Sequence, residues 1–240
     1  MLRINAGTLN SLETMIHGTL TEAAKSAEKI TINKAAGLCG CSVSKISKFV
    51  KKFGFMTYKE YIAFITGKTP DPRNKTAGQG SKELARIRAF IDDFDAGVVD
   101  EFIELLGKYD KIILFGYGPS LICAQYFEYK LRIATSKAVM TASDEATAQT
   151  LLDEKSLFVV FSTTGRFRSF SEILTYAKQK QAGALMIVEE YNASLLDDCE
   201  NIIYLTKTAQ DESLPPYEKS RLVFFIFIEE VVLRLLEKRV

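Results

Sequence analysis

Tryptophan is absent from this chain of 240 residues, and histidine occurs once, as His17. The four cysteines are Cys39, Cys41, Cys123 and Cys199; they form no C-x-x-C pair, and no Cys/His cluster has zinc-ligand spacing. Cys39 and Cys41 make a C-x-C, but reduced thiols in a cytosolic interior are the expected state. A long hydrophobic run is missing too. The most apolar stretch, LVFFIFI at Leu222–Ile228, is broken by Glu229 and Glu230, short of the ~20 residues that a membrane span requires. The first residues lack the basic-then-apolar pattern of a secretory signal. These absences predict a cytoplasmic protein with no metal and no cofactor.

What is present is an ordinary globular composition, 47% apolar and 25% charged, with a net charge of +1. The near-neutral balance hides an asymmetry. Residues 1–67 hold nine Lys/Arg against four acids, a net +5, and the remainder holds 22 against 26, a net −4. A basic head on an acidic body predicts that the head alone meets a polyanion.

The stretch TGKTPDPRNKTAGQGSKE, between Ile65 and Leu84, contains Pro and Gly and has no apolar periodicity, which is the composition of a linker. It divides the chain into a head at 1–67, a linker at 68–82 and a body at 83–240. In the body, apolar runs at 111–115, 137–141, 157–161, 184–188 and 201–205 alternate with amphipathic stretches, and helices flank them at about 83–109 and 217–238. Nearly continuous apolar runs suit parallel strands buried on both faces. The expected fold is therefore an all-α helix-turn-helix domain followed by an α/β three-layer domain with a five-stranded parallel sheet. The expected strand order is the flavodoxin-like 2-1-3-4-5.

In the head, Thr31 can cap a helix with apolar positions Ile32, Ala35, Ala36 and Cys39, and Gly40 suits a left-handed turn. Ser42 can cap a second helix whose inward stripe is Val43, Ile46, Phe49, Val50 and Phe53, with Gly54 as its stop. The opposite side carries Ser44, Lys45, Ser47, Lys48, Lys51 and Lys52. Two short helices about a tight turn, the second basic and rich in hydroxyls, predict a DNA-binding helix-turn-helix. Ser42, Ser44, Lys45, Ser47, Lys48, Lys51 and Lys52 are its candidate contacts: small hydroxyls approach base edges closely and lysines suit phosphates. The competing reading is a solvated charged face on a core helix.

In the body, two expected strands end in turns suited to phosphate, GYGPS at 116–120 and STTGR at 162–166. The assumed order brings both loops to one crevice beyond the carboxyl ends of the strands. Gly116 and Gly118 let backbone approach a ligand, Pro119 opens a helix, and Ser120 supplies a hydroxyl. Ser162, Thr163 and Thr164 add hydroxyls, Gly165 frees the start of the next helix, and Arg166 and Arg168 add charge. A dinucleotide site fits poorly, because Leu121 occupies the third glycine of G-x-G-x-x-G. A phosphorylated sugar is the expected ligand.

The stretch TINKAAGLCGCSVSKISKFVKKFGFMTYKEY resembles the N-terminal helix-turn-helix of RpiR-type transcriptional regulators. FGYGPS and FSTTG, with five βα units, are similar to the sugar isomerase (SIS) domain that follows it in that family. SRL at Ser220–Leu222, followed by Glu229, resembles the family's C-terminal helix pattern. The resemblance implies an operator-binding dimer or tetramer whose SIS domain senses a phosphosugar. By position, Ser42, Ser44, Lys45, Ser47 and Lys48 match the DNA-reading segment, and Ser120, Ser162 and Thr164 match the hydroxyls that hold phosphosugar. The chain departs from the family's SxSGxT, reading STTGRF with Arg166 and Phe167, and VEEYN replaces a Thr-Asn-like turn.

Two alternatives remain at this level: a sugar-phosphate isomerase, and a body that serves only as a dimerisation module. Isomerisation needs a base, usually Glu, and often a ring-opening His. The body has no histidine; Glu128 and Glu145 are conceivable bases, each more simply a helix-surface acid. A regulator with no enzymatic activity is the expectation. Excess apolar surface on RLVFFIFIEEVVLRLLEKR predicts self-association.

Overall fold

The computed structural model describes residues 2–5, 9–25, 30–53, 55, 57–66, 82–166, 168–190, 199, 201–207 and 209–238. Gly54, Phe167 and nearly all of the expected linker lie outside them. A short strand β1 (Leu2–Asn5) precedes four head helices, α1 (Ser11–Lys25), α2 (Ile32–Leu38), α3 (Val43–Lys52) and α4 (Tyr58–Ile65). The body follows as α5 (Lys82–Asp92), α6 (Ala96–Gly107), β2 (Lys111–Gly116), α7 (Pro119–Ala134), β3 (Ala138–Thr141) and α8 (Glu145–Leu151). It continues with β4 (Ser156–Ser162), α9 (Arg168–Gln179), β5 (Gly183–Val188), β6 (Asn201–Tyr204) and α10 (Leu222–Glu237).

The five parallel strands stand in the order β3-β2-β4-β5-β6, the expected 2-1-3-4-5. A sixth strand was not expected. β1 adds antiparallel to the outer edge of β6, Leu2 opposite Tyr204 and Asn5 opposite Asn201, so the start of the head is part of the body's sheet. This pairing covers an edge that would otherwise expose unpaired backbone groups.

The helical segment expected over 83–109 is two helices. Asp95 breaks it: its carboxylate accepts the Gly97 N–H at 2.9 Å and caps α6. The segment expected from 217 becomes helical only at Leu222. On one face of the sheet α5, α6, α7 and α10 bury Ile112, Leu114, Val159, Phe161 and Ile187. On the other, α8 and α9 cover Ile113, Phe115, Phe158, Val160 and Met186. The strands are thus buried on both faces, as their unbroken apolar character requires.

The core of the head is continuous with that second face. Phe55 and Phe64 stand 5.0 Å apart, Phe64 meets Tyr204 of β6 edge-on at 5.8 Å, and the Lys207 ammonium lies over the Phe55 ring at 5.8 Å. His17 is buried inside the head. It stacks on Phe53 at 5.0 Å, and its Nδ1 lies 2.9 Å from the Tyr61 hydroxyl. Burial disfavours the charged imidazolium and pushes its pKa down to about 4.

Candidate functional site

In the head, the local signals do what their chemistry demands. The Thr31 hydroxyl accepts the Lys34 N–H at 3.3 Å and the Ser42 hydroxyl accepts the Lys45 N–H at 3.4 Å, capping α2 and α3. Between them Gly40 takes φ +56°, a left-handed geometry that favours glycine. Ile46, Phe49, Val50 and Phe53 face inward as expected. Val43 does not; it is 38% exposed. At the first position of α3 it has no preceding turn to hold it against the core, and it stands on the exposed side of the turn together with Leu38.

Ser42, Ser44, Lys45, Lys48, Lys51 and Lys52 are exposed and Ser47 is half-buried, so one side of α3 presents the whole set. Lys52 is already engaged, by Glu13 of α1 at 2.7 Å. That bond holds the Glu13 carboxyl below its ordinary pKa. Lys45, Lys48 and Lys51 have no ion-pair partner among the described residues, which leaves them open to phosphates.

In the body, both loops reach the same crevice. A cavity of about 20 Å³ is lined by Tyr117, Ser120, Phe161, Ser162, Thr163, Thr164, Phe170, Pro216 and Arg221. Gly116 is required because a Cβ there would lie 2.8 Å from the Ser120 backbone carbon. Gly118 has φ +51° and ψ −126°, a conformation open essentially to glycine, and it hands the chain to Pro119 at the head of α7. The second loop is held by its own hydroxyls. Ser162 Oγ accepts the Gly165 N–H at 2.9 Å, Gly165 has φ +63°, and Thr164 Oγ1 accepts the Arg166 N–H at 3.3 Å. Thr163 Oγ1 is buried with no hydrogen-bond partner among the described residues. The N-termini of α7 and α9 both open at this end of the sheet, where aligned amides favour an anion.

Arg166 is exposed and separate from this cradle. It lines a neighbouring cavity of about 390 Å³ with Phe64, Ile65 and Thr66 of the head and Glu190, Thr206, Lys207, Ala209, Glu212 and Lys219 of the body. The side chain of Arg168 lies outside the described residues.

Three residues in or beside the two cavities were not anticipated. Glu189, fully buried just past β5, bonds through Oε1 to Arg86 of α5 and to Gln210 at 2.8 Å. Burial raises its pKa to about 7, against the pull of Arg86. Glu190 accepts from Lys219 at 2.6 Å and from the Gln210 N–H at 3.1 Å. Arg221 caps the approach to α10 and donates to the Lys219 carbonyl. Its guanidinium is pulled below its ordinary pKa by burial. The only local signals were the pair EE after the fourth parallel strand and the run SRL.

Glu128 and Glu145 are fastened elsewhere. Glu128 accepts the Thr141 N–H at 3.0 Å and pairs with Arg132 at 2.5 Å, and Glu145 accepts from the Tyr117 hydroxyl. Neither lines either cavity. No helix among the described residues is long and apolar enough to cross a membrane.

The SIS domain family matches residues 105–229. The HTH-type transcriptional regulator HexR of Pseudomonas aeruginosa is 24% identical over 196 residues, covering 74% of this chain and 68% of that protein. An uncharacterised HTH-type transcriptional regulator of Providencia stuartii is 21% identical and is covered over 62% of its length. Among solved structures, Vibrio vulnificus NanR complexed with ManNAc-6P has a TM-score of 0.55 at 16% identity, covering 98% of this chain and 89% of that one. A Methanococcus jannaschii protein, whose structure is described as inferring 3-hexulose-6-phosphate isomerase function, has a TM-score of 0.55 at 20% identity over 66% of this chain.

Proposed function

The chain belongs to the SIS-domain family and has the build of an RpiR-type regulator, a helix-turn-helix ahead of a SIS domain, and we propose that it is a transcriptional regulator of carbohydrate metabolism governed by a phosphorylated sugar. The observation that carries the effector reading is the meeting of GYGPS and STTGR at one crevice lined by Ser120, Ser162, Thr163 and Thr164. Gly116, Gly118 and Gly165 shape that cradle. Arg166, in the adjoining cavity, is placed to meet the rest of the ligand beside α4 of the head.

Operator DNA meets α3. Ser42, Ser44 and Ser47 approach base edges, Lys45, Lys48 and Lys51 take phosphates, and Lys52 contributes after its bond to Glu13. Val43 adds an exposed apolar contact suited to a thymine methyl. The division into a head at 1–67, a joining segment at 68–82 and a SIS domain at 83–240 follows from this assignment. Ile122, Tyr129 and Ile133 of α7 and Leu222, Leu233 and Leu236 of α10 are exposed. They supply the surface for a homodimer, or for the tetramer built from it, that a two-fold operator requires.

Effector reaches operator through the junction. Phe64 and Lys207 join head to body beside the larger cavity, so a ligand that moves the loops moves the base of α4. The test is to select duplexes from a random pool on the purified protein, then measure their affinity with and without hexose, pentose and amino-sugar phosphates. A regulator changes its operator affinity with at least one of them; indifference to the whole panel counts against the effector reading.

A sugar-phosphate isomerase is the second reading, and one observation favours it: Glu189, beneath the cavities and next in sequence to the cavity residue Glu190, is a buried carboxyl near neutrality. Its Oε1 is held by Arg86 and Gln210, the body has no histidine, and the head has no part in such a reaction. Turnover of a phosphosugar that disappears in Glu189→Gln would establish it.

A further inference from the structure

Four buried side-chain polar atoms among the described residues have no hydrogen-bond partner: Thr141 Oγ1, Thr163 Oγ1, Glu189 Oε2 and Arg221 Nε. All four residues sit at the carboxyl ends of β3, β4 and β5 or at the entry to α10, the ligand end of the sheet. An unpaired buried polar group is destabilising, and native proteins keep few of them. Their concentration at one end of the sheet points to a missing partner there.

Thr163 and Arg221 line the same small cavity, with Ser120, Ser162 and Thr164. Thr163 is 3% exposed, so its idle hydroxyl is not satisfied by bulk water. Glu189 and Glu190 offset the burial of Arg221 through space, but each has a nearer partner of its own. Glu189 is held by Arg86 and Gln210, and Glu190 by Lys219 and the Gln210 backbone. No carboxylate among the described residues lies within ion-pair distance of Arg221. The guanidinium therefore reaches the crevice without a direct ion pair: one donor goes to the Lys219 carbonyl, and Nε is left without a partner among the described residues.

We infer that Arg221 receives the phosphoryl group of the effector, with Thr163 as a neutral hydrogen-bond partner. This rests on the phosphosugar reading above and deepens it. A planar fork of N–H groups matches the oxygens of a phosphoryl group, and such charge-assisted bonds are about twice as strong as neutral ones. The hydroxyls of Ser120, Ser162 and Thr164 complete a shell in which one full positive charge meets the dianion. The present cavity has room for about one water, for which roughly 10–15 Å³ suffices. The phosphoryl group therefore enters by displacing Arg221 and the segment that carries it.

The full chain is titrated calorimetrically with glucose 6-phosphate, glucosamine 6-phosphate, ribose 5-phosphate and orthophosphate, with glucose as the neutral control. At least one phosphorylated probe should bind the wild type, and glucose should not. Arg221→Gln should weaken that probe by about tenfold or more, Arg221→Lys should weaken it less, and Thr163→Val should weaken it independently. Unliganded melting temperatures identify any variant that fails to fold. Undiminished affinity in folded Arg221→Gln, or in both Arg221→Lys and Thr163→Val should the glutamine variant not fold, overturns the assignment and leaves the phosphosugar reading standing. Failure of every phosphorylated probe on the wild type overturns both.

Discussion

Phe64, in the last turn of α4, meets Tyr204, the last residue of β6, edge to face with ring centroids 5.8 Å apart. Both rings are almost completely buried, so the contact is a shared piece of core between the helical head and the SIS sheet. Removing a buried phenylalanine side chain costs about 3–5 kcal/mol. Phe64→Ala should lower the denaturation midpoint and abolish the effect of phosphosugar on operator affinity, while basal operator binding persists. Denaturant titration and fluorescence anisotropy on the same preparation would check both halves. Effector dependence equal to the wild type would show that the signal travels by another route.

The lysines of α3 differ in what they can give to DNA. Lys45→Gln or Lys48→Gln should each reduce the slope of log affinity against log salt by about one. Lys52→Gln should also break the bond to Glu13, so its main effect should be on head stability. Salt titrations of the three variants would separate these outcomes.

Gly118→Ala places a Cβ on a backbone at φ +51° and ψ −126°. Strain of that kind costs roughly 1–3 kcal/mol, and relief comes only by moving Pro119 and Ser120. Lower thermal stability together with loss of phosphosugar binding is the expected result, read by melting with and without ligand.

Glu189 makes the body less stable toward neutral pH. Its folded pKa is about 7, against an ordinary value of 4.5. Between those values the native state keeps a proton that the unfolded chain has released, so stability is full below about 4.5 and falls as pH rises toward 7. The effect is on the order of 3 kcal/mol. Glu189→Gln should flatten this dependence in denaturation curves taken from pH 5 to 8.

His17 acts in the opposite sense in the head. Its folded pKa is about 4 and its ordinary value 6.5. Between them the unfolded chain binds a proton that the native state refuses, so stability is full above about 6.5 and is lost as pH falls toward 4. The Tyr61 hydroxyl beside Nδ1 can pair with the neutral ring, which His17→Gln partly mimics. That variant should keep the head folded at pH 5, where the wild type loosens first, as followed by the salt-sensitive DNA affinity.

The parallel strands were legible because strands buried on both faces must be apolar throughout, and the two phosphate loops because glycine and hydroxyls cluster where those strands stop. The caps at Thr31 and Ser42 were legible for the same local reason. Val43 was misread because a helical wheel assigns it to the stripe although the helix has only just begun. Asp95 carried a capping signal inside DFDAG, yet the surrounding apolar spacing runs on through it. Arg221, Glu189 and Arg86 come together from three distant segments, and no spacing along the chain encodes that meeting.

The pairing of β1 with β6 has a consequence for the order of events during synthesis. Leu2 leaves the ribosome about 200 residues before its partner Tyr204. The four head helices pack on one another within the first 66 residues and can form early, because local contacts close quickly, while Phe55 and Phe64 gain Lys207 and Tyr204 only later. The strand ahead of them must then wait unpaired until the last parallel strand emerges. Until that moment the head is tethered to the nascent body by chain alone, and the sheet's outer edge stays open to strands from other molecules. Disruption of β1 therefore acts on the last step of assembly, and its expected symptom is aggregation during expression.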